Sequence, residues 1–127
     1  MKRISERTKI IYVFRKYARL GLASDRLSPF DAYARIRGCS KDEASAAELL
    51  AVYETVRFLR LLGREDALRA VDAVYFRLPR RALRKNEISE RVLRYAFEQS
   101  CDERTVYRKL SYAFDTYKKI LKLFNKG

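Results

Sequence analysis

Residues 95–110 read YAFEQSCDERTVYRKL, and this stretch predicts two helices joined by a tight turn. Ala96 is a small residue in the first helix, where a second helix can cross closely. Residues 100–101 can make the turn, and Asp102 can accept a hydrogen bond at the start of the second helix. Val106 follows Ala96 by ten residues and is expected to be buried. This spacing is typical of a helix-turn-helix, whose second helix enters the major groove of DNA.

The second helix carries the side chains that we expect to contact bases. At 100° per residue, Arg104 and Arg108 point away from the buried Val106. Arginine suits guanine because its planar guanidinium can donate to O6 and N7 together. An ordinary solvated helix face is the alternative interpretation. The candidate DNA-binding residues of this helix are Arg104, Thr105, Tyr107, Arg108, Lys109 and Ser111.

A basic connector precedes the motif. It follows Pro79, which is expected to end one helix, and leads into a predicted helix over residues 87–99. Its cations are predicted to contact phosphates, which position a protein on DNA but carry no sequence information. The alternative is a solvated linker between two helices. The connector residues that we assign to DNA binding are Arg80, Arg81, Arg84 and Lys85.

The rest of the chain predicts further helices, because apolar residues recur at spacings of three and four. Their bounds are about 4–20, 29–37, 41–62 and 64–78, and the last helix runs over 103–124. Ser28 is expected to cap the second helix and Gly38 to end it. Ser40 and Glu43 are expected to form a capping box at the third helix. The predicted fold class is therefore an all-α bundle of six helices with a C-terminal helix-turn-helix.

The predicted organisation has two parts. Residues 1–63 form a helical region for packing or dimerisation, and residues 64–127 form the helix-turn-helix DNA-binding region. The last helix is longer than the motif needs, and its apolar stripe continues through Tyr117, Ile120 and Phe124. These side chains must pack against the N-terminal helix of the same chain or against a second copy, which would make the protein a homodimer.

The net charge of +13 is unevenly distributed. Residues 1–40 and 79–127 each carry +7, whereas residues 41–78 carry −1. A basic surface attracts nucleic acid or anionic lipid. The alternative interpretation is a soluble cationic protein whose charge binds no polyanion. Since no apolar run approaches the roughly 18 residues of a membrane span, we expect a cytoplasmic protein without membrane association.

The residue types argue against an enzyme. The chain has no histidine, so the commonest general base is missing. Gly-rich phosphate loops and metal-ligand spacings are also absent from the sequence. The acidic pairs Asp42-Glu43 and Glu65-Asp66 lie at predicted helix starts, where the helix dipole explains them. We therefore expect no catalytic residue, no cofactor and no metal.

The run from Asp102 to Leu110, followed by Ala113, resembles the recognition helix of sigma-factor region-four-like domains. It is also similar to small phage-encoded regulators of the ArpU and RinA type, found in Gram-positive bacteria and their prophages. The likeness covers about residues 64–124, although Ser100 stands at the turn position that glycine usually holds. The resemblance implies transcription regulation through sequence-specific binding of double-stranded DNA, and it implies RNA polymerase as a further candidate partner.

Two other functions fit the same residues. A phage DNA-packaging or recombination accessory protein would use the helix-turn-helix without regulating a promoter, and ring-like oligomers would favour that function. A helical scaffold or RNA-binding protein would use its positive charge without sequence preference. Such a protein would bind any duplex and single-stranded RNA with equal affinity.

Overall fold

The computed structural model describes residues 5–23 and 27–126, and within these ranges it contains six helices and no strand. The helices are α1 (Glu6–Arg19), α2 (Pro29–Cys39), α3 (Glu43–Leu61), α4 (Glu65–Val71), α5 (Glu87–Glu98) and α6 (Glu103–Asn125). A π-helical turn, Asp72–Phe76, continues α4. The all-α prediction is confirmed, while the predicted start of the first helix at residue 4 lies outside the described residues. None of the described helices combines the length and the apolar composition needed to cross a membrane.

Helix starts follow the local sequence, with one correction. Ser28 caps α2 as predicted, because its hydroxyl accepts a hydrogen bond from a first-turn amide. The predicted capping box at α3 is wrong. Its cap is Asp42, whose carboxylate accepts from the Ser45 amide at 2.8 Å, and this bond lowers the pKa of Asp42. The Ser40 hydroxyl instead donates to the Ile36 carbonyl at the end of α2.

Three helices end at a residue with a left-handed backbone. These residues are Gly21, Gly63 and Ser100, with φ angles of 80°, 71° and 53°. After α5, the Ser100 amide donates to the Phe97 carbonyl and the Cys101 amide to the Ala96 carbonyl, which is a Schellman motif. The prediction that Gly38 ends α2 is wrong, because Gly38 lies within that helix.

One hydrophobic core joins the N-terminal and C-terminal helices. Phe14 of α1 is completely buried within it. Its ring centre lies 5.3 Å from that of Tyr117 and 5.7 Å from that of Phe114, both on α6. It lies 6.1 Å from the ring centre of Tyr75. Each such pair contributes about 0.5–1.5 kcal/mol beyond its buried area. A single core therefore contains side chains from both predicted regions, residues 1–63 and residues 64–127.

Two buried arginines hold the chain that follows α4. The terminal nitrogens of Arg15 donate to the carbonyls of Tyr75, Arg77, Leu78 and Arg81 at 2.6–3.1 Å. Arg91 of α5 donates to the Val74 carbonyl at 3.0 Å and to the Glu87 carboxylate at 2.7 Å. The last carbonyls of a helix lack partners within the helix and carry partial negative charge. Both α1 and α5 are thereby fixed to the segment that leads into the connector.

Candidate nucleic-acid interface

The residues predicted to form the motif occupy the expected environments around α5 and α6. Ala96 and Val106 are both buried. Asp102 caps α6, and its carboxylate accepts from the Arg104 amide at 3.0 Å. Ser100 makes the left-handed turn that ends α5. These contacts fix where α6 begins and leave one side of its first turns in solvent.

The solvent side of α6 forms a shallow depression, which we call the α6 face. It is lined by Arg104, Tyr107, Arg108, Ser111, Tyr112 and Asp115. Four of these six were predicted to bind DNA, whereas Tyr112 and Asp115 were not in the predicted set. Arg104, Arg108 and Ser111 are exposed. The other predicted residues of this helix, Thr105 and Lys109, are half-buried and do not line the depression.

Two arginines from other parts of the chain lie over tyrosines of the α6 face. The guanidinium of Arg7, on α1, is 5.5 Å from the ring centre of Tyr107. The guanidinium of Arg64, just before α4, is 4.2 Å from the ring centre of Tyr112. A cation over an aromatic face is attracted by the ring quadrupole. The α6 face is therefore bordered by two further cations that the sequence analysis did not identify.

Arg7 is exposed but closely surrounded by aromatic groups. Its guanidinium is also 6.0 Å from the ring centre of Phe114. The buried Tyr75 hydroxyl has no hydrogen-bond partner within the described part of the chain. Burial raises the pKa of Tyr75 to about 12, although the nearby Arg7 charge opposes the shift. The aromatic surroundings therefore hold the Arg7 charge at the border of the α6 face.

Arg64 has a carboxylate partner as well as its tyrosine. Its Nε donates to the Asp66 carboxylate at 3.0 Å. This hydrogen bond raises the pKa of Arg64 and lowers that of Asp66. The ion pair fixes the Arg64 side chain but compensates part of its charge. Of the two bordering arginines, Arg7 is the stronger candidate for a phosphate contact.

Along the chain, the connector leads into the start of α5, whereas the α6 face follows the end of that helix. Arg81 donates to both oxygens of the Glu87 carboxylate, at 2.7 and 3.1 Å. Arg84 donates to Glu87 through its backbone amide at 3.1 Å and through Nε at 3.4 Å. Arg80 and Lys85 are exposed. None of the four predicted phosphate contacts lines the depression of the α6 face, and two of the four have a structural partner in Glu87.

Glu87 is the anionic centre of this region and is itself buried. The backbone amide of Arg84 is the largest cause of its low pKa, and the guanidinium groups of Arg81 and Arg91 contribute. Together they hold the pKa of Glu87 at about 2, despite burial, which acts in the opposite direction. Glu87 therefore stays ionised at neutral pH and organises the connector.

Comparison of the chain with protein-family models, with curated proteins and with solved structures finds no match. Among the residues that the structure describes, no cluster of three histidine, cysteine, aspartate or glutamate side chains could hold a metal ion. The interpretation of the α6 face therefore depends on the geometry and charge described above.

Proposed function

We propose that this chain is a sequence-specific DNA-binding protein that reads the major groove with the first turns of α6. One observation carries the proposal. Arg104 and Arg108 are exposed side by side on the start of a helix that a tight turn and the Asp102 cap hold in place. The turn, the buried residues at 96 and 106 and the exposed arginines together match what a helix-turn-helix needs.

In this proposal the cations have two different tasks. Arg104 and Arg108 donate to guanine O6 and N7 in the groove, and Ser111 contacts a neighbouring base. Arg7, at the border of the α6 face, contacts a phosphate and so positions the helix. Arg80 of the connector adds a phosphate contact at the other end of α5. Base contacts supply sequence preference, whereas phosphate contacts supply affinity and salt dependence.

The biological setting that we propose is transcription regulation in a bacterium or prophage, with RNA polymerase as a candidate partner. This part rests on the resemblance of residues 102–113 to sigma region-four-like domains and to regulators of the ArpU and RinA type. The exposed arginines support DNA binding in general, and they fit a DNA-packaging accessory protein equally well.

The test is selection of binding sites from random double-stranded DNA, followed by measurements on variants. We predict that Arg104→Ala and Arg108→Ala each weaken binding to the selected site by about 1–3 kcal/mol. Binding to random duplexes should change much less. Both variants should stay folded, because these side chains are exposed. Arg37→Ala, which removes an exposed arginine of α2, is the matched control and should bind normally.

Three outcomes would contradict parts of this proposal. Equal losses on selected and random duplexes would make both arginines phosphate contacts. Failure to enrich any site, with equal affinity for single-stranded RNA, would favour the scaffold or RNA-binding function. Ring-like oligomers on DNA would favour the packaging function.

A further inference from the structure

An apolar groove lies between the C-terminal ends of α3 and α6. Leu61 of α3 is 75% exposed, Leu123 of α6 is 71% exposed, and Phe58 is 46% exposed. Ile120 and Phe124, which are half-buried, form its floor. The groove has a volume of about 460 Å³. Exposed apolar residues grouped in this way mark an interaction site far more often than scattered ones do.

The groove is what intramolecular packing leaves uncovered on α6. Tyr117, earlier in the apolar stripe, is 2% exposed and packs on Phe14 of α1. The last turns of α6 reach beyond this contact, so Leu123 remains in solvent. Ile120 and Phe124, the last residues of the stripe, are half-buried and pack against the same core, so the exposed apolar side chain here is Leu123, beside the stripe.

The rim of the groove is basic. Lys119 and Lys126 are exposed and lie one turn before and one turn after Leu123, on the same side of α6. Arg57, also exposed, lines the groove one turn before Leu61. Arg57 and Glu54 both line the groove and form an ion pair at 3.1 Å, so their charges compensate each other and the positive charge of the rim comes from the two lysines.

A second copy of the chain fits this groove poorly. A two-fold interface here would bring the cationic rims of both copies together, at a cost in like-charge repulsion. A single helix with anchors at i, i+3 or i+4, and i+7 matches its size.

We propose that the groove binds an amphipathic helix of a partner protein. The apolar face of that helix lies in the groove, and acidic residues flank this face on the partner helix. Leucine-sized anchors would cover Leu61, Leu123 and Phe58. Aspartate or glutamate side chains would pair with the cationic rim. This site lies on a different part of the molecule from the α6 face, and the proposal does not depend on DNA binding.

The probe is a designed helical peptide of about 16 residues with leucines along one face and glutamates beside them. Two matched peptides carry lysines in place of the glutamates or serines in place of the leucines. Fluorescence anisotropy of each labelled peptide is measured against the full chain. We expect the glutamate-flanked peptide to bind and both matched peptides to bind at least about tenfold more weakly.

Variants of the chain test whether the peptide binds in the groove. Leu61→Ser and Leu123→Ser should each weaken peptide binding by about tenfold or more. The control is Phe97→Ser, which removes an aromatic side chain of α5 that is 86% exposed. This variant should bind the peptide as tightly as the parent chain does. Circular dichroism checks that all three variants stay folded. DNA binding should be unchanged in all three, which separates this test from that of the α6 face.

The proposal is overturned if the glutamate-flanked peptide does not bind, or if Phe97→Ser weakens peptide binding as much as Leu61→Ser does. It is also overturned if sedimentation equilibrium finds a dimer that Leu123→Ser dissociates, because the occupant would then be a second copy. A monomer of about 15 kDa that binds the peptide is the expected result.

Discussion

Arg7 and Arg19 lie on the same helix, and each holds its guanidinium over a tyrosine ring. Arg7 lies over Tyr107 at 5.5 Å, and Arg19 lies over Tyr12 at 6.0 Å. The difference is location, since only Arg7 borders the α6 face. The two residues therefore form a matched pair in which local packing is similar and proximity to the proposed DNA surface differs.

We predict that Arg7→Gln weakens binding to every duplex by a similar factor. It should also reduce the slope of log affinity against log salt by about 0.9, the value for one phosphate contact. Arg19→Gln should leave both the affinity and the slope unchanged. Anisotropy titrations at several NaCl concentrations, with the selected site and with a random duplex, measure both quantities.

Each alternative result for Arg7 has a definite meaning. A loss confined to the selected site would make Arg7 a base contact. An unchanged salt slope would mean that the border of the α6 face does not touch DNA. Similar effects from Arg19→Gln would show that the whole of α1 contributes charge without a specific contact.

At the scale of single residues, the sequence identifies side chains whose neighbours lie on the same helix. Arg104 and Arg108 were predicted to be exposed from their angle to Val106, and they are exposed. Arg7 and Arg64 were missed because their tyrosine partners lie far along the chain. The available signal was indirect: Tyr107 and Tyr112 are aromatic residues outside the apolar stripe, and an aromatic ring on a basic surface can hold a cation over its face.

At the scale of elements, the turn between α5 and α6 carries a backbone penalty. Ser100 has a φ of 53°, a conformation that is unfavourable for a residue with a Cβ atom and favourable for glycine. We predict that Ser100→Gly raises the free energy of unfolding by about 0.5–1 kcal/mol. Urea unfolding followed by circular dichroism measures this change.

Gln99→Gly is the control for the turn. Gln99 has an ordinary φ of −91°, so glycine there only makes the unfolded chain more flexible. We expect this variant to be less stable than the parent. If both glycine variants lower stability equally, the left-handed backbone at Ser100 carries no penalty.

The element boundaries show where local sequence is ambiguous. Ser40 and Asp42 are both good helix caps, and only one of them can start α3. Asp42 does so because α2 continues through Gly38, which leaves Ser40 at the end of the preceding helix. The π-helical turn after α4 was not predicted, since no residue in 72–76 marks it.

At the scale of the whole molecule, Arg15 shows that contacts between distant parts of the chain could not be predicted from the sequence. The helical spacing puts Arg15 on a different face of α1 from the apolar stripe, which predicts a solvated cation, yet it is 6% exposed. The four carbonyls that it binds lie 60–66 residues further along the chain. No local pattern identifies such partners, so helix positions were predicted well and the contacts between distant helices were not.

The low pKa of Glu87 makes the stability of the whole fold depend on pH. The carboxyl has a folded pKa of about 2 and an ordinary value of 4.5. Its contribution is therefore complete above about pH 5 and is lost as the pH falls from there towards 2. We predict that Glu87→Gln is less stable than the parent at pH 7 and that the two stabilities converge near pH 2.

Urea unfolding at several pH values between 7 and 2 measures this convergence. Glu90→Gln, which changes an exposed carboxylate one turn away, should follow the parent at every pH. Parallel curves for the parent and Glu87→Gln would show that Glu87 gains nothing from its arginine partners in the folded state.

The hydrogen bonds of Arg15 also impose an order on biosynthesis. At about 5–20 residues per second, the ribosome adds the 66 residues between Arg15 and Arg81 in about 3–13 s. During that interval α1 has been made, but the carbonyls that anchor it have not. Part of its apolar side stays uncovered for longer still, because Phe14 packs on Phe114 and Tyr117 of α6, which is made after the connector. The helix α1 is therefore made well before the segments that anchor it.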